Sequence, residues 1–413
     1  MLTRLLLANA LLRTAAGASA QLLALMVSWR VDRAADGSTY LALAGGAYFA
    51  AEIAISPIVG RVADRRGLGT VLGSGAWIGA GAALVSWLMS SFLDPTLGVL
   101  AILCCARIVE GAAMACTVPT SLTLLARLSS TTRARRSRVM GAFEVSSLVG
   151  MFVGVGLAGP AWDAWRAGSF VAVAVGYFAA ALLLSCGWRG LERVHARRQS
   201  ALGVARSLVS EPGRRGFMLA WLCVNAVVGL WLQHAPHLLT VRDGAPGQRL
   251  VGAWQASGVS LVLGLYGLLI LVGTAFWAFA ASSWPRRRQM SLALIAMMAA
   301  VLILGAMNHG GPLVPLTIVL AFLVVLESGF TPAALAHLAE VTEVLDADRN
   351  AALAGYSVLL AAGQLLGIAL GGVFAALWQL DGLLAATVPL AAVAIAGVRT
   401  IPPARCNLDR ARA

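Results

Sequence analysis

Apolar residues run along this chain in long blocks, broken at intervals by arginines, aspartates and Gly/Pro clusters. The blocks approach twenty residues and show no apolar–polar alternation, so they predict helices and not strands. Twelve spans are read: 5–28, 39–60, 69–91, 96–126, 138–160, 167–187, 216–240, 254–281, 288–307, 313–338, 350–376 and 382–400. At 1.5 Å per residue, about 20 residues cover the roughly 30 Å hydrocarbon core of a bilayer. A backbone in lipid must satisfy its own peptide groups, which a helix does. The expected fold class is an all-α membrane protein with 12 transmembrane helices. At the N-terminus, Arg4, the run Leu5 to Leu12 and Ala18-Ser19-Ala20 imitate a secretory signal, but the apolar stretch continues through Leu25 and Val27, so an uncleaved first helix is expected.

The arginines orient these spans. With the N-terminus inside, 24 of the 31 arginines fall in inside segments or at their edges, among them Arg61, Arg65 and Arg66, the group Arg133 to Arg138, and Arg286 to Arg288. The outside loops keep Arg30, Arg33, Arg166, Arg242 and Arg249, while Arg13 and Arg107 lie within spans. That bias predicts an even number of crossings in the cell membrane with both termini cytoplasmic. The longest connection, 188–215, mixes arginines with Leu191, Val194, Leu202 and Leu208, a basic amphipathic pattern suited to the inner membrane surface.

The chain also repeats itself. At a constant offset of 213 residues, Pro119 matches Pro332, Arg136 matches Arg349, Phe143 matches Tyr356, Gly150 matches Gly363, Gly154 matches Gly367, Gly159 matches Gly372 and Trp165 matches Trp378. One register held across two spans and a loop predicts parallel repeats, as found in transporters. The expected domains are a six-helix bundle over 1–187, a cytoplasmic linker over 188–215, a second six-helix bundle over 216–400 and a cytoplasmic tail over 401–413.

Composition narrows the function. Hydrophobic residues make up 59% of the chain and charged ones 12%, a balance no soluble protein keeps without exposing apolar surface. The net charge of +13 is dispersed in short clusters, so membrane lipid headgroups are the expected counterions and nucleic acid is not. The sequence has no lysine, which excludes a Gly-Lys-Ser/Thr phosphate loop and a Schiff-base lysine. No enzyme and no cofactor are expected. The six cysteines lack the spacing of a disulfide framework or a zinc site, and no metal is expected. His234 and His237 flank Pro236 near the end of the seventh span and are read as facing the headgroups.

Between the second and third spans the chain reads Gly60-Arg61-Val62-Ala63-Asp64-Arg65-Arg66-Gly67. This resembles the major facilitator superfamily, whose signature in that loop is Gly, three residues, Asp, Arg, any residue, Gly. Gly69 and Thr70 stand where the family carries further basic residues. The resemblance implies the family's two-bundle fold and a conformational latch made by Gly60, Asp64, Arg65 and Gly67. In the fourth span, Arg107-Ile108-Val109-Glu110-Gly111 is similar to a motif of the family's proton-coupled antiporters, with Glu110 in place of the usual Gln. The fifth span, with Gly141, Gly150, Gly154, Gly156, Gly159 and Pro160, resembles the antiporters' glycine-rich motif in the spacing of its first three glycines, with Pro160 several residues later than in that motif. Gly150 with Gly154, like Gly363 with Gly367, also forms a small-xxx-small face for helix packing.

An arginine at membrane depth costs roughly 2.5–3.5 kcal/mol on insertion scales, so Arg107 needs a partner, and Glu110 lies one helical turn away. Two readings stay open for the pair, a self-neutralising structural contact or a proton-coupling unit. Glu52, Arg107, Glu110 and Glu327 all lie about 16 to 21 Å along their helices from the outer end, near the midplane. With Asn225, Gln364 and Trp231 they are the candidate proton-coupling and cavity residues. Glu144 sits nearer the inner face, where an arginine of the adjoining loop is its expected partner, and Trp277 is a second deep tryptophan. The expected function is alternating-access transport of a small organic solute, monomeric and driven by a proton gradient, with efflux of a lipophilic or amphipathic compound favoured. Proton-linked uptake of a sugar or organic acid is the alternative within transport, and a non-transporting assembly factor the alternative outside it.

Overall fold

The computed structural model describes residues 2–31, 33–92, 97–128, 133–185, 212–242, 244–279, 284–344 and 349–402. The 188–215 linker lies almost wholly outside the described residues, as do residues 403–413 of the tail. Among the described residues there is no strand. The helices are α1 Leu2–Arg30, α2 Ala34–Arg66, α3 Leu68–Phe92, α4 Leu97–Leu128, α5 Arg133–Trp165 and α6 Ser169–Ser185, then α7 Pro212–Thr240, α8 Ala256–Phe279, α9 Arg286–Asn308, α10 Leu313–Glu327, α11 Phe330–Val344 and α12 Arg349–Arg399.

This partition differs from the expected spans in two places. Span 313–338 is cut at Ser328–Gly329 into α10 and α11, while spans 350–376 and 382–400 run together as α12. Among the described residues, helices long and apolar enough to cross a membrane form ten stretches, of which Gly141–Ser185 has 45 residues and Val358–Arg399 has 42. At 1.5 Å per residue each is about twice the roughly 30 Å of hydrocarbon, so each folds back once and the crossings number twelve.

The two reversals share one device. The first lies at a single 3-10 turn, Arg166–Gly168, where Arg166 has φ 49°; the second lies at Gln379, with φ 53°. These are the only non-glycine residues with positive φ among the described residues, and they are related by the 213-residue offset. A left-handed conformation in an L-residue costs about 1–2 kcal/mol, so a strained turn has been kept at both copies of one position.

Contacts group the chain into two compact units. Unit 1 comprises Met1–Arg198, Leu232–Gly244 and Gly252–Gly267, and unit 2 comprises Gln199–Trp231, Ala245–Val251 and Leu268–Ala413. In unit 1, α1 packs on α5 and α6, α2 on α4, and α3 on α4 and α6. Its core includes Leu5, Leu22, Leu124, Phe170 and Tyr177. In unit 2, α9 packs on α10, α11 and α12. The unit 2 core joins Phe217, Trp221 and Cys223 of α7 to Met290, Met297, Phe330 and Ala394.

Glycines set the closest approaches. A Cβ on Gly150 would strike the carbonyl of Ala10, and one on Gly154 the carbonyl of Thr14. In unit 2, Gly363 lies against the Leu222 carbonyl and Gly367 against that of Ala226. The α1/α5 contact therefore recurs as α7/α12, with Ala10 and Thr14 answering to Leu222 and Ala226 at an offset of 212.

Candidate functional site

Unit 1 buries a charged network built from α1, α2, α4 and α6. Arg107 is 4% exposed and Glu110 2%, and Arg107 Nη1 is paired with Glu110 Oε2. Their i, i+3 spacing puts both on one face of α4. Ser19 of α1 donates to Glu110 Oε2 at 3.0 Å and accepts from Arg107 Nη1 at 3.2 Å. Tyr177 of α6, fully buried, donates to Glu110 Oε1 at 2.7 Å. The Tyr48 ring of α2 lies under the guanidinium, 4.5 Å from Cζ to centroid. Both carboxylate oxygens are satisfied, and the cation has an anion on one side and a π face on another. Gly111 makes this possible, because a Cβ there would strike the Tyr48 carbonyl and hold α2 off α4.

Not every donor is satisfied. Arg107 Nε and Arg13 Nε are buried without a hydrogen-bond partner. Arg13, on α1, is the opposite charge acting on both Glu52 and Glu144, yet no ion pair within 4 Å joins it to either among the described residues. Glu52 is half-buried and lies nine residues from Leu43, which at 100° per residue places it opposite that exposed side chain. A buried charge is normally paired or bonded, so the two unpartnered Nε donors are exceptions in the core of unit 1.

The structure unites Glu52, Arg107 and Glu110 in unit 1 and places the other candidates in unit 2. There Trp231 Nε1 donates to Thr387 Oγ1 at 2.9 Å, and Asn225 Nδ2 to the Trp221 carbonyl at 2.9 Å. The Gln364 main chain packs on Gly229. Glu327 ends α10, at the helix break. Trp277 is packing: it is buried, donates to the Val325 carbonyl at 2.9 Å and covers Gly329. In the latch loop Gly60 and Arg65 are exposed and Gly67, with φ 92°, caps α2 by donating to Ala63 at 2.9 Å. The Asp64 side chain lies outside the described residues. Gly159 lies against Ala256 and donates its N–H to Ser260 Oγ at 2.8 Å, and Pro160 sits inside α5.

The histidines correct the sequence reading. Both are fully buried, and neither faces headgroups. His237 Nδ1 is 2.9 Å from Ser28 Oγ, its Nε2 3.3 Å from the Ala34 carbonyl, and its ring fills the space that a side chain at Gly37 would take. Among the functional neighbours, Ser19, Tyr48 and Tyr177 escaped the sequence. Tyr177 had a signal, as the one tyrosine of an otherwise apolar sixth span.

A family model described as Major Facilitator Superfamily matches residues 6–257 and 247–408. The chain belongs to the major facilitator superfamily. Two solved structures share the fold of this facilitator. A variant of the nucleoside transporter NupG aligns with TM-score 0.71 at 11% identity, covering 97% of this chain and 98% of that one. A bacterial homologue of the human lysosomal transporter Spinster, inward-facing and unoccupied, aligns with TM-score 0.72 at 14% identity, covering 97% of both chains. No curated protein matches the facilitator by sequence. Family and fold make this chain a multi-pass membrane transporter; they do not name its solute.

Proposed function

We propose that this chain exports a lipophilic or amphipathic small molecule across the cytoplasmic membrane by alternating access, with proton entry as the energy source. One observation carries the reading: a closed network in which a single carboxylate, Glu110, holds Arg107, Ser19 and Tyr177 together. Protonating Glu110 removes the anion that neutralises Arg107 and turns one of its two accepting oxygens into a donor, so the bond from Ser19 or from Tyr177 is weakened. A state in which Arg107 is paired elsewhere, with a solute or another carboxylate, then gains stability relative to the closed one. An equilibrium shifts only as far as such differential interactions drive it, and breaking a buried pair is worth about 3–5 kcal/mol, enough to invert a two-state population. The latch loop and the placing of both termini in the cytoplasm belong to the same reading. Labelling of Arg61→Cys from outside intact cells would contradict that orientation.

Glu110→Gln tests the coupling, since it keeps the size of the side chain and one accepting oxygen and removes the titrating group. In proteoliposomes with an imposed pH gradient and a solute panel, the variant is expected to exchange solute at equilibrium and fail to concentrate it. Full gradient-driven accumulation by Glu110→Gln would return the pair to a structural role.

A further inference from the structure

The break between α10 and α11 lies deep in its span: Glu327 is 14 residues from Leu313 and 11 from Leu338, about 21 Å and 16 Å along the helices. Backbone freed there is well supplied with donors. Trp277 Nε1 and Ser328 Oγ donate to the Val325 carbonyl at 2.9 and 2.7 Å, and Gln289 Nε2 donates to the Gly329 carbonyl at 3.2 Å. The Glu327 carboxylate, by contrast, has no hydrogen bond, ion pair or charged neighbour among the described residues. It does not face lipid, because at 100° per residue it lies opposite Ile318, which is 67% exposed. The arginines of the membrane-length stretches of unit 2 among the described residues, Arg214, Arg215, Arg286 to Arg288 and Arg399, all lie at helix ends. His337 is ten residues along the chain, edge-on to Phe217.

A helix C-terminus carries the negative end of the macrodipole, which disfavours an anion there by about 0.3–1 kcal/mol and favours a cation by as much. Discontinuous helices at mid-membrane are where transporters of several folds bind cations. The fold itself does not demand the break, since at the 213-residue offset α4 runs unbroken through Ala115 and Cys116, with Met114 in place of Glu327. We propose that the α10/α11 break with Glu327 is a site for a monovalent organic cation, which supplies the positive charge that unit 2 lacks at this depth. This deepens the transporter reading by naming its solute class and does not depend on proton coupling.

Tetraphenylphosphonium is the probe, because it is lipophilic, permanently charged and carries no transferable proton. Binding is measured by equilibrium dialysis on the purified full-length protein in detergent, without a gradient. Saturable binding to wild type is expected, with Glu327→Gln at least about tenfold weaker and Glu327→Asp within about threefold. Glu327→Gln is also expected to melt no lower than wild type, because it removes a lone charge; a marked fall in melting temperature would show a hidden structural partner and overturn the site. Undiminished binding by Glu327→Gln, or no saturable binding to wild type, would overturn it as well. Displacement of the probe by millimolar sodium would assign the carboxylate to an inorganic cation and equally defeat the proposal. Glu327-dependent binding in a protein that ignores a pH gradient would leave this site standing and remove the coupling.

Discussion

At matching positions of the repeat, unit 1 carries Arg107 and Glu110 on an unbroken α4, and unit 2 carries Leu320 and Leu323 on an α10 that stops at Glu327. One unit closes Arg107 and Glu110 into an internal network, with Arg13, Glu52 and Glu144 outside it; the other leaves the Glu327 carboxylate open at the end of a helix. The shared parts are those that hold helices together: the Gly150/Gly363 and Gly154/Gly367 contacts and the left-handed residues 166 and 379. Packing has been duplicated and chemistry has diverged. A difference in residues at repeat-related positions is therefore a better guide to function here than polarity alone, since both units bury polar groups.

The largest effect expected from this contrast comes from removing one member of the pair. Arg107→Leu leaves Glu110 buried with two hydroxyls and no cation, and should cost about 3–5 kcal/mol. Arg107→Leu combined with Glu110→Leu copies the unit 2 residues into α4, and should recover stability to within about 1 kcal/mol of wild type while abolishing transport. Thermal unfolding in detergent checks both; a double variant as unstable as the single one would mean that unit 1 needs its charges to fold.

A smaller effect tests the duplicated packing. Gly154→Val and Gly367→Val each drive a side chain into a facing carbonyl, and each should cost about 1–3 kcal/mol, with the two values close to each other. Gly81→Ala, which meets nothing within 4 Å, is the control. A large loss at only one of the two sites would break the equivalence of α1/α5 and α7/α12. The smallest effect is a gain: Arg166→Gly and Gln379→Gly relieve left-handed strain and should each add about 0.5–1 kcal/mol, seen as a raised melting temperature.

The helices, their number and the repeat in its second portion were legible because each depends on local pattern: apolar length, glycine spacing, a constant offset. The α1/α7 repeat was not, since Ala10 and Thr14 differ in identity from Leu222 and Ala226 and lie at an offset of 212; what recurs is a backbone carbonyl facing a glycine on another helix. The pairing of Arg107 with Glu110 could be read from i, i+3 spacing, whereas Ser19 and Tyr177 come from helices 88 and 67 residues away from the group each one bonds. His237 misled for the same reason. A polar side chain near a helix end reads as wet until its partners on α1 and α2 are known. The α10/α11 break was hidden because Glu327, Ser328 and Gly329 interrupt the apolar run for three residues only, and the whole stretch Leu313–Leu338 still reads as one crossing.

The reversal at Gln379 has a consequence for how the protein is made. Between Val358 and Val398 the sequence carries one ionisable residue, Asp381, so the insertion machinery meets 41 residues without a polar loop to mark where one crossing ends. Two helices joined so tightly leave their junction stranded in hydrocarbon if only one has crossed, so entry of the pair as a closed hairpin is the expected route. The last pair of crossings is in this sense one topogenic unit, and its counterpart across Arg166 is another.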